Sequence, residues 1–458
     1  MTMSSITFLY FFLPLFVGVY AITPKKHRAK TLILGECAFV GWGSLLALIP
    51  LFVSSLGTYL LGMMIDNRRN DKPRQKKFLA MMICTELAFI IVSALGAGGI
   101  ISGGVAKAFP PLGVFVYALG SLSYCFDIYK GELRCDNRFS LVAAFVGFFP
   151  CLTAGPLMRY GAVSGQFEAP KMTPDKMSRG ISLYLKGLAE KCVISATVSG
   201  MWRQQIKLDM GGVSAVTAWL GLVAAGMYVY FEFASISHMA RGIALMLGIE
   251  LPVNFDHPYK ARTVTELVKR FNVSVSAWFI DYIFKPIYGK GESRAFTALA
   301  AVSTGILLSL WYGPGLSRLV FGVYAGALCI IEMTLLDRPI KRLPRIISVV
   351  LTMTLMHIGV VFFISNDTGY ALSYFLAIFG RNGMLIDNLT LYFFENYALI
   401  LGVCIFITTG IAELIYNKLG SSKVNFLPFI RPVWQLGLLV LCTAFLSGQA
   451  LSFPGIVN

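Results

Sequence analysis

Runs of roughly 17 to 25 apolar residues, the length an α-helix needs to cross about 30 Å of hydrocarbon, recur from one end of this chain to the other. In lipid every backbone N–H and C=O must be satisfied within the spanning element, which leaves helices and closed barrels. The short alternating pattern of barrel strands is missing, so helices are expected. Candidate spans are 6–22, 31–48, 50–65, 78–97, 109–127, 139–157, 180–200, 214–235, 296–312, 316–336, 345–365, 391–414 and 431–450. Some of these should be half-helices, so about ten to thirteen crossings are expected. Pro50 divides the run from Thr31 to Ile65, which is too long for one crossing. The first run, Ile6 to Ile22, lacks a basic n-region and a small-residue cleavage site and is expected to stay as a helix. With 56% hydrophobic and 14% charged residues and a mean hydropathy of +0.70, a soluble fold could not bury this much apolar surface. The expected fold is an all-α polytopic membrane bundle forming one domain over 1–458, with N-terminal helices at 1–140, a core at 141–345 and C-terminal helices at 346–458.

The net charge of +16 could suggest nucleic acid, but the basic residues sit in short clusters beside apolar runs, as topology signals do. One cluster is Lys25, Lys26, Arg28 and Lys30; a second is Arg68, Arg69, Lys72, Arg74, Lys76 and Lys77; a third is Lys130, Arg134 and Arg138. The span count puts all three on one face of the bilayer, which the positive-inside rule makes cytoplasmic, with the N-terminus outside. Nucleic acid is not an expected partner, since a basic groove needs a soluble face with interleaved aromatics. The nine cysteines lie mostly in apolar segments and form no C-x-x-C pair, and they read as small buried hydrophobes. The glycines of "LGAGGIISGG", 95–104, have no neighbouring strand or lysine to make a phosphate cradle and read as a loop.

Two segments break the apolar pattern. "FFPCLTAGPLMRY", 148–160, should interrupt a helix near Pro150 and Pro156 and ends with Arg159. From 251 to 291, charges and prolines mix with aromatics and no full-length span fits. Irregular backbone at membrane depth must be buried in protein or line a wet cavity, so both segments read as re-entrant or interfacial walls of a chamber. Within the second, Val264, Leu267, Val268 and Phe271 oppose Glu266, Lys269 and Arg270 as in an interfacial helix. Asn272, Ser274, Ser276, Trp278, Asp281 and Tyr282 then extend a hydrogen-bonding face. Of the histidines, His27 and His257 read as solvated or turn residues. His238 shares a helical face with Ser235 and Arg241 and suits a buried hydrogen-bonding role. His357 sits mid-span in "LMHIGVVFF", where hydrogen bonding across helices is the commoner use and catalysis the rarer.

Taken together the chain resembles the membrane-bound O-acyltransferase family, in the bacterial branch of the alginate O-acetylation and teichoic-acid D-alanylation proteins. "FLYFFLPLFVGVY" is similar to the family's opening helix, and "SLSYCFDIYKGE" to its S-Y-x-x-D-x-Y-x-G segment. "FFPCLTAGPLMRY", "FEFASISHMARGIALMLGIELPVNFDHPY" and "RFNVSVSAWFIDYIFKPIYG" follow three further family runs. The resemblance implies a bundle enclosing a tunnel and the transfer of an acyl group from a thioester donor to a hydroxyl of a cell-envelope polysaccharide or polymer. That donor is a coenzyme A or carrier-protein thioester used as substrate, with no permanently bound cofactor. It also implies a bacterial cytoplasmic membrane, and leaves room for an extracytoplasmic partner protein.

In the family a histidine of a W-H-G motif takes the acceptor's proton, assisted by a histidine, asparagine or aspartate about forty residues earlier. Here those positions match Tyr312, in "LWYGPG", and Asn272, and a further branch histidine matches Ala325 in "VYAGA". A phenol, with an ordinary pKa near 10, is a poor base at neutral pH unless its anion is stabilised; Arg318 would serve if Gly313, Pro314 and Gly315 fold it back. The expected site has Tyr312 as hydrogen-bond donor or unusual base and Asn272 orienting the acyl group. Asp281, His238, Ser276, Trp278, Trp311, Arg159 and Arg318 support them or bind substrate. Against this stand Tyr312 as an interfacial aromatic beside Trp311, and a silent family member kept as a channel or scaffold.

Overall fold

The computed structural model describes residues 1–288, 294–313, 315–365, 367–411 and 427–448. The ends of the expected spans at 391–414 and 431–450, Gly291 of the re-entrant segment and Pro314 lie outside these. The described residues are helical and polytopic, as the apolar runs predict. Six helices among them are long and apolar enough to cross a membrane: Leu45–Asn67, Lys72–Ala97, Ala215–Met246, Leu316–Leu335, Arg345–Ile364 and Asn388–Thr408. Shorter apolar helices are Phe8–Ile22, Ala295–Trp311, Thr368–Ile378 and Pro432–Gly448.

Helices α1 (Arg28–Gly43) and α2 (Leu48–Asn67) are separated at Ser44, whose backbone is extended, so the predicted break falls six residues before Pro50. Pro50 instead occupies the first turn of α2, where its missing N–H has no partner to lose. Helix α3 (Lys72–Ala97) and helix α4 (Pro111–Lys130) follow. Of the stretch 95–104 expected as a loop, only 98–102 is one: Leu95–Ala97 end α3, and Gly103–Ala108 form a short helix. The span expected at 139–157 is only α5, Phe139–Val146; at Gly147 the chain leaves the helix and turns through Pro150 and Pro156. The basic clusters converge: Arg69 donates to the Leu133 carbonyl at 2.9 Å, Arg28 to the Pro170 carbonyl at 3.2 Å, and Arg138 pairs with Glu168. These contacts tie the three clusters to the 133 and 168–170 segments.

The expected span 180–200 is longer than predicted: α6 (Pro174–Ala189) runs through a π stretch, Glu190–Ser195, into α7 (Ala196–Gln205). These pack on α8 (Ala215–Met246), a 32-residue helix buried along nearly its whole length. Glycines let α6 and α8 touch backbone to backbone. A Cβ on Gly242 would lie 2.5 Å from the Tyr184 nitrogen, and one on Gly187 2.5 Å from the Ser235 carbonyl oxygen. Helix α8 ends where Gly248 turns left-handed at φ +83° and Ile249 N–H returns to the Ala244 carbonyl.

The other end of α8 is held by one carboxylate. Asp387 accepts from the Ser214 N–H at 2.9 Å, the Thr217 hydroxyl at 2.6 Å and the Thr390 N–H at 2.8 Å, so it joins the α8 start to the later helix Asn388–Thr408. Partial burial opposes its ionisation, but these bonds outweigh it and hold the carboxyl at about 2. Because the folded value lies below the ordinary carboxylate value, the contribution is complete above about pH 4 and disappears as pH falls toward 2. Asp387→Ala is expected to cost about 1–2 kcal/mol, the usual loss of a helix cap. It should also flatten the acid limb of the unfolding temperature of the detergent-solubilised chain; an unchanged limb would contradict the assignment.

Candidate active site

The segment after α8 is built to present residue 272. Asn254 Oδ1 accepts from the Ser274 N–H at 2.9 Å and from its hydroxyl at 2.8 Å, while the Asn254 carbonyl takes the Val273 N–H at 2.7 Å. Phe255 and Phe271 form an antiparallel bridge. These bonds force a left-handed turn at Asn272, φ +54°, a conformation asparagine tolerates better than most side chains. The chain reverses there between α9 (Val264–Arg270) and α10 (Val273–Phe279). Glu332 caps α9 by accepting from the Val264 N–H at 2.6 Å, and the Leu157 N–H donates to the Ser274 hydroxyl at 2.7 Å, so the 148–160 segment braces the turn.

Tyr312 arrives from the other side. Helix α11 (Arg294–Trp311) closes at Tyr312 and Gly313, and α12 (Leu316–Ile331) folds back on it. A Cβ on Gly305 would lie 2.5 Å from the Gly322 carbonyl, and the Ser309 hydroxyl donates to the Arg318 carbonyl at 2.7 Å. Asn272 Nδ2 donates to the Tyr312 hydroxyl at 2.9 Å. Both residues are buried, and the ring of Tyr312 is wedged by Phe233 at 4.4 Å and Phe363 at 5.3 Å between centroids. Since the phenol oxygen already accepts, its own proton is left to donate elsewhere.

Tyr312 lines a cavity of about 330 Å³ whose walls come from α8, the 258–271 and 280–285 segments, α11, α12 and helix α13 (Arg345–Ile364). The lining is mostly apolar, with Tyr259, Lys269, Lys285, Thr304 and His357 as its main polar members. Ala325 faces it where the branch carries a second histidine. Among the described residues Thr304 Oγ1 and His357 Nε2, both of wall residues, and Asn272 Oδ1, of the residue bonded to Tyr312, are buried without a hydrogen-bond partner. Among the described residues no three metal-ligating side chains gather.

The other singled-out residues brace the walls. Ser276 donates to the Val268 carbonyl at 2.8 Å, and Trp278 Nε1 to the Leu119 carbonyl at 3.0 Å. Asp281 pairs with Arg159 and with Lys285 Nζ at 2.5 Å, and Tyr282 bonds Asp127, so the 121–132 and 148–160 motifs both grip this segment. Trp311 is 1% exposed against Phe115, and its N–H has no partner among the described residues. Arg318 lies over Gly313, where a Cβ would come within 2.5 Å of its Nη1, while the hydroxyl of Tyr312 is met by Asn272. His238 is outside the cavity, bonded to Glu190 at 2.6 Å between α8 and the π stretch. Reading the sequence passed over Tyr259, Thr304, Lys269 and Lys285 as cavity residues; nothing in local pattern marks which face of these short elements turns inward.

Residues 138–341, which include both motif segments and the Asn272–Tyr312 pair, match the sequence profile of MBOAT, the membrane-bound O-acyltransferase family. The chain is 29% identical over 333 residues to a probable alginate O-acetylase AlgI of Pseudomonas fluorescens, covering 72% of this chain and 66% of the relative. It is 24% identical over 315 residues to a peptidoglycan O-acetyltransferase of Helicobacter pylori, covering 61% and 59%. It is 26% identical over 235 residues to a teichoic acid D-alanyltransferase of Lacticaseibacillus rhamnosus, covering 47% and 57%. Residues 138–341 of this multi-pass membrane protein thus carry the pattern of a membrane-bound O-acyltransferase domain.

Proposed function

We propose that the chain transfers an acyl group from a coenzyme A or carrier-protein thioester to a hydroxyl of a cell-envelope polysaccharide or polymer. It would do so in a bacterial cytoplasmic membrane with the N-terminus outside. The observation that carries this reading is the 2.9 Å bond between Asn272 and Tyr312: two positions forty residues apart, which the family uses for chemistry, meet beside one apolar cavity. The cavity suits the acyl group, and a tunnel continuing from it would take the thioester arm from one side and the acceptor from the other. The buried phenol proton is a preset donor for the oxygen that becomes negative when the acceptor attacks the carbonyl. Neither the fold nor the comparisons support the reading as a silent scaffold.

The test is the base-labile ester content of envelope polysaccharides in a deletion strain. It is complemented either with the wild-type chain or with an Asn272→Ala, Tyr312→Phe double variant produced at equal level. Wild type should restore the esters and the double variant should not. Equal restoration by both would sink the assigned site.

A further inference from the structure

We infer that the acyl group handled at this site is a hydrocarbon chain of about twelve carbons, laid along the cavity beside Tyr312, and not acetyl. This rests on the acyl-transfer reading above and fixes its donor class. The cavity follows α11 from Ala301 to Tyr312, α12 and its continuation from Phe321 to Met333, and α13 from Met353 to Phe363. At the usual helical rise each of these stretches is about 15–18 Å long. Close contacts order the two ends. Tyr312 packs on Phe363 and Phe363 on Phe321, whereas a Cβ on Gly326 would meet Val302, which puts Met333 beyond Ala301. The cavity is therefore a slot, with Tyr312 at one end and the exposed Met333 at the other. Volume and length give the same capacity. An apolar cavity of about 150 Å³ holds benzene, so about 330 Å³ takes about twice its six carbons. An extended chain advances about 3.3–3.6 Å for every three bonds, so a slot of about 16 Å takes about twelve to fourteen. An acetyl group, with one methyl beyond its carbonyl, leaves nearly all of this empty.

The lining suits a hydrocarbon better than the thioester's pantetheine arm, whose two amides cost free energy when buried without partners. Midway along the slot the polar side chains are already committed. Ser309 donates to the Arg318 carbonyl, His357 holds the Met353 carbonyl through Nδ1 and packs its Nε2 edge on Gly226, and the Thr304 hydroxyl is buried. That leaves Tyr259 to meet two amides, each with a donor and an acceptor. Val229, Val268, Leu308, Met356 and Val360 make the surface between. Lys269 and Lys285 are exposed, and Lys285 is held by Asp281, so both line the slot with their apolar stems. The reaction itself keeps its balance. The acceptor oxygen bonds the carbonyl carbon beside Tyr312, the C–S bond breaks, and the acceptor's proton ends on the departing thiolate.

Each methylene that leaves water for the slot strengthens binding about fourfold, and the bilayer, competing for the same chain, takes back part of this. The experiment uses membranes from cells producing the full chain, given radiolabelled acetyl-, butanoyl-, octanoyl-, dodecanoyl- and hexadecanoyl-coenzyme A. The kcat/KM for label in base-labile ester should rise about 10²–10³-fold from acetyl to dodecanoyl and level off beyond it. Ala325→Leu, which narrows the slot partway along α12, should lower the dodecanoyl-to-acetyl ratio at least about tenfold. A series that is flat or highest with acetyl overturns the inference. If the leucine variant does not accumulate, the wild-type series decides alone. Binding separates the slot from the reaction: in lipid nanodiscs the unfolding temperature of the wild-type chain should climb with the length of the added acyl-coenzyme A, and a shift independent of length counts against the slot. No ester from any donor, with that climb intact, would remove the acyl-transfer reading and leave the slot standing.

Discussion

Replacing Tyr312 by phenylalanine is expected to lower kcat for acyl transfer by about 10²–10³-fold, the usual loss when one preset oxyanion donor is removed. The substitution deletes a single atom. The ring stays wedged between Phe233 and Phe363, so the cavity keeps its shape and KM should hold within a few-fold. What changes is that Asn272 Nδ2 loses its acceptor and the site loses the phenolic proton held beside Asn272. The stability cost should be about 1–3 kcal/mol, that of one buried donor left unsatisfied, and should appear as a modest fall in unfolding temperature. A kcat equal to wild type in folded protein would mean the phenol is a wall residue. A raised KM at constant kcat would mean that it binds substrate and transition state equally.

How far this site could be read from the sequence depends on what kind of contact each residue makes. The spans followed from apolar runs, and the broken segments 148–160 and 251–291 from prolines and charges, because those signals act along the chain. The meeting of Asn272 and Tyr312 is a contact across forty residues, and only the family resemblance pointed to it. His357 shows the limit from another side: its place in mid-span does not say that its Nδ1 meets the Met353 carbonyl one turn earlier or that its ring packs on Gly226 of α8. The misplaced limits have local causes. Pro50 fits a first turn, which moved the break to Ser44, and α5 stops at Gly147 because the irregular 148–160 segment has to brace the 272 turn.

Charged residues inside helices were the hardest to read, and one pair carries the second large expectation. Lys191 and Glu232 form an ion pair between the π stretch and α8, with side chains 10% and 3% exposed, and the Ser195 hydroxyl donates to the same carboxylate at 2.9 Å. Hydropathy averaged over 180–200 treats Lys191 as a cost, whereas in the folded chain its charge is matched. Lys191→Met leaves the Glu232 carboxylate buried with that hydroxyl as its remaining partner among these bonds. The expected loss is about 3–5 kcal/mol, the range for breaking a buried pair from one side. Lys191→Met combined with Glu232→Leu should recover most of it, because two apolar side chains of similar volume leave no stranded charge. Thermal unfolding of the four members of this cycle in one detergent decides the point. A single variant as stable as wild type, or a double variant no better than the single, would show that the charges are solvated. The effect should reach catalysis as well: Glu232 lies six residues along α8 from Gly226 and next to Phe233. Loosening this anchor therefore shifts the wall that packs on His357 and wedges Tyr312, so the single variant should lose kcat while the double keeps it.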